Sequence, residues 1–145
     1  MLPLAILAGG YATRLGALTA ETPKCLIEIN GRPFVDWQLE LLIKNGYSEF
    51  IFCVSYKSDL VQKYLGNGRD RGVSIQYSLD GRRQLGTGGA IQNALPKLGD
   101  KFGVIYGDSY LPTNYFALEK SFLHSKSQAL MAVYENQDRF DFSNV

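Results

Sequence analysis

Gly9, Gly10, Arg14, Lys24 and Asp108 are the residues whose types and spacing could do chemistry in this chain. In "LAGGYATRLGALTAETPK" (7–24) a glycine pair follows an apolar run, and one arginine and one lysine stand ten positions apart. Glycines lack a Cβ, so their backbone N–H groups can come close to a ligand. A guanidinium forks onto phosphate oxygens, and an ammonium acts on them as a compact point charge. The set suits a nucleoside triphosphate held between the two cations. Asp108, in "VIYGDSY", follows an apolar run and a glycine, where its carboxylate could hold Mg²⁺ on a phosphate. "LGTGGAI" (85–91) adds a second glycine loop ahead of a helical pattern, able to lie against a base or a ribose.

Each feature also has a plainer reading. Gly9-Gly10 can be a tight turn, Arg14 and Lys24 two surface cations, and Gly107-Asp108 an Asx-type turn. Two familiar phosphate loops are excluded. The dinucleotide pattern G-x-G-x-x-G is absent, and no Lys-Ser or Lys-Thr follows Gly16 as a P-loop requires. No Ser-His pair suggests a protein nucleophile, and His124, the sole histidine, reads as structural or exposed.

The elements that must position these residues alternate. "LPLAIL", "EFIFCVS" (49–55), "VSIQYS" (73–78) and "FGVIYG" (102–107) read as buried strands. "PFVDWQLELLIKNG" reads as a helix with Pro33 at its first position, Gly46 just past its end and an apolar stripe of Phe34, Trp37, Leu41 and Leu42. "SDLVQKYLG" gives a helix capped by Ser58, with Leu60, Val61, Tyr64 and Leu65 as its stripe. "GTGGAIQNALPKLG" carries Ala90, Ile91, Ala94 and Leu95 into Pro96. "YFALEKSFLHS" is a fourth helix and "QALMAVYE" (128–135) a fifth strand. Such alternation predicts right-handed βαβ units in an α/β, Rossmann-like αβα sandwich with a mostly parallel sheet. Ligands in such sheets bind outside the carboxyl ends of the strands, near the switch point.

At 145 residues, 46% hydrophobic and 20% charged, the chain has an ordinary globular balance and fits one domain. A formal net charge of +1 gives no broad field for nucleic acid or a membrane surface, and no run approaches a membrane span. "MLPLAILAGG" lacks the basic start and length of a secretory signal. Cys53, inside an apolar run, reads as a buried reduced thiol, so a cytoplasmic protein is expected. "NQDRFDFSNV" closes no element, which predicts a domain truncated at its C-terminus. Oligomeric state stays open, a homo-oligomer included.

"LAGGYATRLGALTAETPKCLIEINGRPFVDW", followed in order by "VSYKSDLVQKYLG", "LGTGGAI" and "YGDSY", resembles the sugar-1-phosphate nucleotidylyltransferases over nearly the whole chain. The shared pattern is L-A-G-G, T-R-L, P-K, and a G-x-P turn into a helix. "LGTGGAI" leans toward the branch that joins GTP to heptose or mannose 1-phosphates, with cytidylyl and uridylyl enzymes remaining open. The resemblance implies that Leu7, Ala8, Gly9 and Gly10 meet the base and ribose. It implies that Arg14 holds the departing pyrophosphate and that Lys24 bridges the α-phosphate and the sugar phosphate. Gln84, Gly86, Thr87 and Gly88 would line the base pocket, and Asp108 would be a Mg²⁺ ligand. It also implies that residues 1–145 are the nucleotide-binding part of the domain, without the sugar-binding part and its second acidic metal ligand. The rival from another class is a nucleotide-sugar-binding regulatory module or fragment without turnover, whose mark would be loss of Arg14, Lys24 or Asp108. All three are present.

Overall fold

The computed structural model describes residues 1–10, 22–81 and 84–135. Four strands form one parallel sheet: β1 (Leu4–Leu7), then, after a two-residue hairpin of β2 (Glu28–Ile29) and β3 (Arg32–Pro33), β4 (Glu49–Val54), β5 (Ser74–Leu79) and β6 (Gly103–Tyr106). Their order is β5-β4-β1-β6. β1 pairs on one side with β4, Leu4 to Phe50 and Leu7 to Cys53, and on the other with β6, Leu4 to Gly103 and Leu7 to Tyr106. Among the described residues the α-helices are α1 (Phe34–Lys44), α2 (Ser58–Leu65), α3 (Gly86–Leu98) and α4 (Tyr115–His124).

Right-handed crossovers then fix the layers. The chain steps from β1 through α1 to β4, and through α2 to β5, always in one direction, so both helices lie on one face. It returns from β5 to β6 in the opposite direction, so α3 lies on the other. Side-chain alternation agrees: Ala5, Ile51 and Cys53 pack with Ala90, Ala94 and Leu98 of α3. Leu4, Ile6, Phe50 and Phe52 point the other way and are fully buried. The reversal of direction puts the switch point between β1 and β6.

All four sheet strands fall where the sequence patterns lie, and the α/β Rossmann-like architecture is as expected. The buried stripes are shifted. α1 buries Val35, Gln38, Leu39 and Leu42, while Phe34, Trp37 and Leu41 are only partly covered. The polar Gln38 in the middle of the true face masked its period. In α2 only Val61 and Leu65 are buried, and Lys57, in left-handed conformation at φ 51°, rather than Ser58, precedes the first turn. α3 buries Ala90, Ala94 and Leu98, leaves Leu95 exposed, and runs through Pro96. Pro33 stands just before α1, inside β3, rather than at its first helical position.

Two compact units make up the chain, 1–113 and 114–145. In the second, Asn114 Oδ1 caps α4 by accepting from the Ala117 N–H at 3.0 Å, and His124 is exposed, its Nδ1 donating to the Lys120 carbonyl at 2.7 Å. The fifth strand expected over 128–135 is not formed. A strand needs a neighbour for its N–H and C=O groups, and among the described residues no ladder reaches this segment.

Candidate nucleotide site

β1 and β6 end side by side, so the turns that follow them, Ala8–Gly10 and Gly107–Ser109, meet at the switch point. The β1 turn is pinned from several directions. The Ala8 N–H donates to the Cys53 carbonyl at 2.9 Å. Ser55 Oγ and Gln84 Nε2 both donate to the Gly9 carbonyl at 2.7 Å. A Cβ on Gly9 would stand 3.3 Å from Ser55 Oγ and 3.7 Å from Asp80 Oδ2, so a side chain here would crowd the pocket wall. The β6 turn is bound to β1 by the Gly107 N–H to the Leu7 carbonyl at 2.9 Å, and closed by the Ser109 N–H to the Tyr106 carbonyl at 3.1 Å.

Lys24 arrives by a different route. It opens a single 3-10 turn, Lys24–Leu26, which leads into the β2–β3 hairpin. That hairpin is mounted on α1. The Phe34 N–H donates to the Ile27 carbonyl at 2.9 Å and Trp37 Nε1 to the Ile29 carbonyl at 3.1 Å. The Arg32 guanidinium stacks on the Trp37 ring, 4.7 Å from its centre, and reaches Glu40 at 2.6 Å. Thus anchored, Lys24 Nζ forms an ion pair with Asp108 Oδ2. Both side chains are near 40% exposed, so solvent screens the pair and either partner is free to exchange it for a ligand.

These elements surround a cavity of about 190 Å³ lined by Leu7, Ala8, Gly9, Gly10, Lys24, Gln84, Gly86, Thr87 and Asp108, together with Asp80, Cys25 and Cys53. Nine residues singled out in the sequence therefore face one space. Arg14 lies outside the described residues, and Gly88, one position deeper into α3 than Thr87, does not line the cavity. α3 points its N-terminus at the cavity with no side-chain cap, so its first-turn N–H groups are offered there.

Sequence reasoning missed Asp80. Its N–H donates to the Val54 carbonyl at 3.1 Å, and its Oδ2 accepts the Leu85 N–H at 3.2 Å, which ties the β5 end to the start of α3. Its Oδ1 is buried without a hydrogen-bond partner among the described residues. The signal was an acidic residue followed by glycine just past a strand, the mirror of Gly107-Asp108. Both cysteines are held toward the neutral thiol. Burial pushes the Cys25 thiol up to about 11, against its own backbone hydrogen bond, and burial with the Asp80 charge pushes Cys53 up to about 11. Both are free and buried.

Residues 4–142 match the Nucleotidyl transferase family. The chain belongs to that family. Among curated proteins, this nucleotidyl transferase chain is 33% identical over 140 residues to a D-glycero-alpha-D-manno-heptose 1-phosphate guanylyltransferase of Campylobacter jejuni, covering 97% of this chain and 62% of that one. It is 38% identical over 104 residues to an N-acetylmuramate alpha-1-phosphate uridylyltransferase of Neisseria meningitidis, covering 71% and 45%. Among solved structures it resembles HddC from Yersinia pseudotuberculosis complexed with GMP-PN, with a TM-score of 0.74 and 35% identity over 86% of this chain and 55% of that chain. The nucleotidyl transferase chain thus spans less than two thirds of the length of these relatives.

Nucleotidyl transferases of this family generally work with a divalent metal ion. The residues present fit one. Asp108 offers a hard carboxylate oxygen at the cavity rim, and a divalent cation on a nucleotide can be held by one or two carboxylates with substrate phosphates and water supplying the rest. Among the described residues no group of three or more His, Cys, Asp or Glu side chains gathers, so no all-protein cage competes with that arrangement. No helix among the described residues is long and apolar enough to cross a membrane.

Proposed function

We propose that residues 1–145 are the nucleotide-binding part of a sugar-1-phosphate nucleotidylyltransferase that uses GTP, Mg²⁺ and a heptose or mannose 1-phosphate. The observation that carries this reading is the cavity at the switch point, where the Gly9-Gly10 turn, the open N-terminus of α3, Lys24 and Asp108 converge. The base and ribose lie against Leu7–Gly10 and Gln84–Thr87. Lys24 meets the α-phosphate and the incoming sugar phosphate, and Arg14 the pyrophosphate.

A sugar 1-phosphate oxygen attacks the α-phosphorus, a new P–O bond forms, and the bond to pyrophosphate breaks. Phosphate oxygens are ionised near neutral pH, so no general base or protein nucleophile is required. Lys24 and Arg14 hold the reacting groups in line and offset charge that is strongest in the transition state. A metal bound through Asp108 supplies further charge neutralisation at the phosphates. The guanylyl name of the heptose relative supports GTP, and the uridylyl relative marks UTP as the first alternative. The place of action is taken as the cytoplasm, where nucleoside triphosphates are made and used.

Pyrophosphate release tests this reading. The chain, alone and within the longer enzyme proposed, is incubated with each of GTP, UTP, CTP and ATP against a panel of sugar 1-phosphates. Release with GTP and a manno-configured sugar 1-phosphate is expected of the longer enzyme. Nucleotide binding without turnover in that protein would instead support a regulatory binding module. Failure to bind any of the four nucleotides would overturn both readings.

A further inference from the structure

Gln38 is a polar residue in the middle of the buried face of α1, with only 1% of its surface exposed. Its Nε2 donates to two backbone carbonyls, Tyr106 at 2.8 Å and Ser109 at 2.7 Å. Those two carbonyls bracket Gly107 and Asp108. One amide group therefore uses both its hydrogens on the two ends of a single turn, and the residue in that turn with a chemical role is Asp108. The same turn is already closed by the Ser109 N–H to Tyr106 and tied to β1 through the Gly107 N–H. Gln38 adds a third hold, from the helix layer beneath the sheet.

Packing alone does not explain an amide here. Gln38 Oε1 is buried without a partner among the described residues, and an unpaired buried carbonyl is destabilising. A leucine or methionine would fill comparable space without an orphaned oxygen. An amide gives two N–H donors in fixed geometry, aimed at the two carbonyls that bracket one turn, the Tyr106 carbonyl also accepting the Ser109 N–H. The helix is also the right mount. α1 carries the β2–β3 hairpin through Phe34 and Trp37, and that hairpin follows directly on the turn of Lys24. Lys24 and Asp108 are thus both referenced to one rigid element, the first through the start of α1 and the second through Gln38, one turn further on.

We propose that Gln38 is the positioning residue for Asp108, its buried amide fixing the 106–109 turn to α1 so that the carboxylate stands opposite Lys24. Gln38 touches no ligand itself. The inference rests on the reading that Asp108 meets a metal on the nucleotide phosphates.

The test uses Gln38→Met, which keeps volume and removes both donors, and measures three quantities. Amide hydrogen exchange at Ser109 is followed in the ligand-free protein. Mn²⁺ is titrated in the presence of GTP, UTP, CTP or ATP. Binding of the same nucleotides is measured with metal chelated away. In the variant, exchange at Ser109 should rise about tenfold or more and the Mn²⁺ midpoint by about tenfold, while metal-free nucleotide affinity stays within twofold of wild type. A Mn²⁺ midpoint unchanged within twofold in the folded variant would overturn the proposal, and so would a parallel loss of metal-free binding, which marks a general structural role. If Gln38→Met does not fold, Gln38→Glu, which keeps the side chain's length and sets a carboxylate against the two carbonyls, is read by the same criteria. A wild-type chain that takes up no Mn²⁺ with any nucleotide would sink the metal reading itself, and the positioning role with it.

Discussion

Lys24 and Asp108, eighty-four positions apart in the chain, face each other at the rim of the cavity and form an ion pair. In the proposed reaction each has another partner: phosphate for Lys24, a divalent metal for Asp108. The pair keeps both charges compensated, and in the proposed reaction a metal nucleotide would exchange it for two new contacts of the same sign pattern. Partial exposure keeps the cost of that exchange low.

Asp108→Asn should separate the two roles. The amide keeps the size of the side chain but neither holds a divalent cation nor competes for Lys24 by charge. Metal-dependent nucleotide binding and turnover should be lost. Metal-free binding of the nucleotide should be equal or tighter, because Lys24 is released to the phosphates. Calorimetry with and without a chelator reads both effects, and unchanged turnover in the variant of the proposed enzyme would remove Asp108 from the metal.

In the proposed reaction Lys24→Ala and Arg14→Ala should each lower kcat/KM by roughly 10²-fold or more, the usual scale for losing a preorganised charge at a transition state. Lys24 is too exposed to matter much for folding, so its variant should melt close to wild type. Steady-state kinetics beside a thermal melt decides between a catalytic charge and a surface one.

Gly107→Ala tests how tightly the metal-side turn is packed against β1. The added Cβ would stand 3.0 Å from Ala8 Cβ and 3.0 Å from the Leu7 carbonyl oxygen, both on backbone-held atoms with little room to yield. Overpacking of this kind costs about 1–3 kcal/mol. The variant should show a lower unfolding midpoint in urea together with weaker metal-dependent nucleotide binding. An unshifted midpoint would mean that the β1 and β6 turns are not in register-tight contact.

Stability should fall in alkali. Both thiols are raised from an ordinary value of 9.0 to about 11 in the folded chain, chiefly by burial. Between those values the unfolded chain gives up its thiol protons while the folded chain retains them, so unfolding gains with rising pH. The stabilisation from keeping the thiols neutral is whole below about pH 9 and is lost as pH climbs through about 11. It is on the order of 2–3 kcal/mol for each thiol at its limit. Tyr64, bonded to Asp36, and Tyr77, held in by burial, are raised as well and act in the same direction. Urea melts across this window should show the decline, and Cys25→Ala with Cys53→Ala should flatten its slope whatever they do to the level. Neither thiol should react quickly with a disulfide reagent at neutral pH.

The strands and helices of the sheet were legible because each carries its own period and its own stops. Apolar runs, two of them ending in glycine, gave the four parallel strands, and the helices between them gave the crossover topology, hence the edge at which a ligand binds. Gly9-Gly10, Lys24, "LGTGGAI" and Asp108 stood out through their order along the chain, and residues of each line one cavity. The buried faces were less so. In α1 the inward stripe passes through Gln38, and periodicity judged on apolar residues alone slides past a polar side chain that earns its place through two carbonyls in another strand's turn. The strand expected over 128–135 failed because pairing is a property of two segments, and no pattern within one segment shows whether its neighbour exists. Lys24 meeting Asp108, Asp80 closing the wall behind Gly9, and the α1 mount shared by both halves of the ion pair belong to tertiary structure alone. Each joins residues tens of positions apart, and only the order β5-β4-β1-β6, with its reversal between β1 and β6, brings their turns within hydrogen-bonding reach.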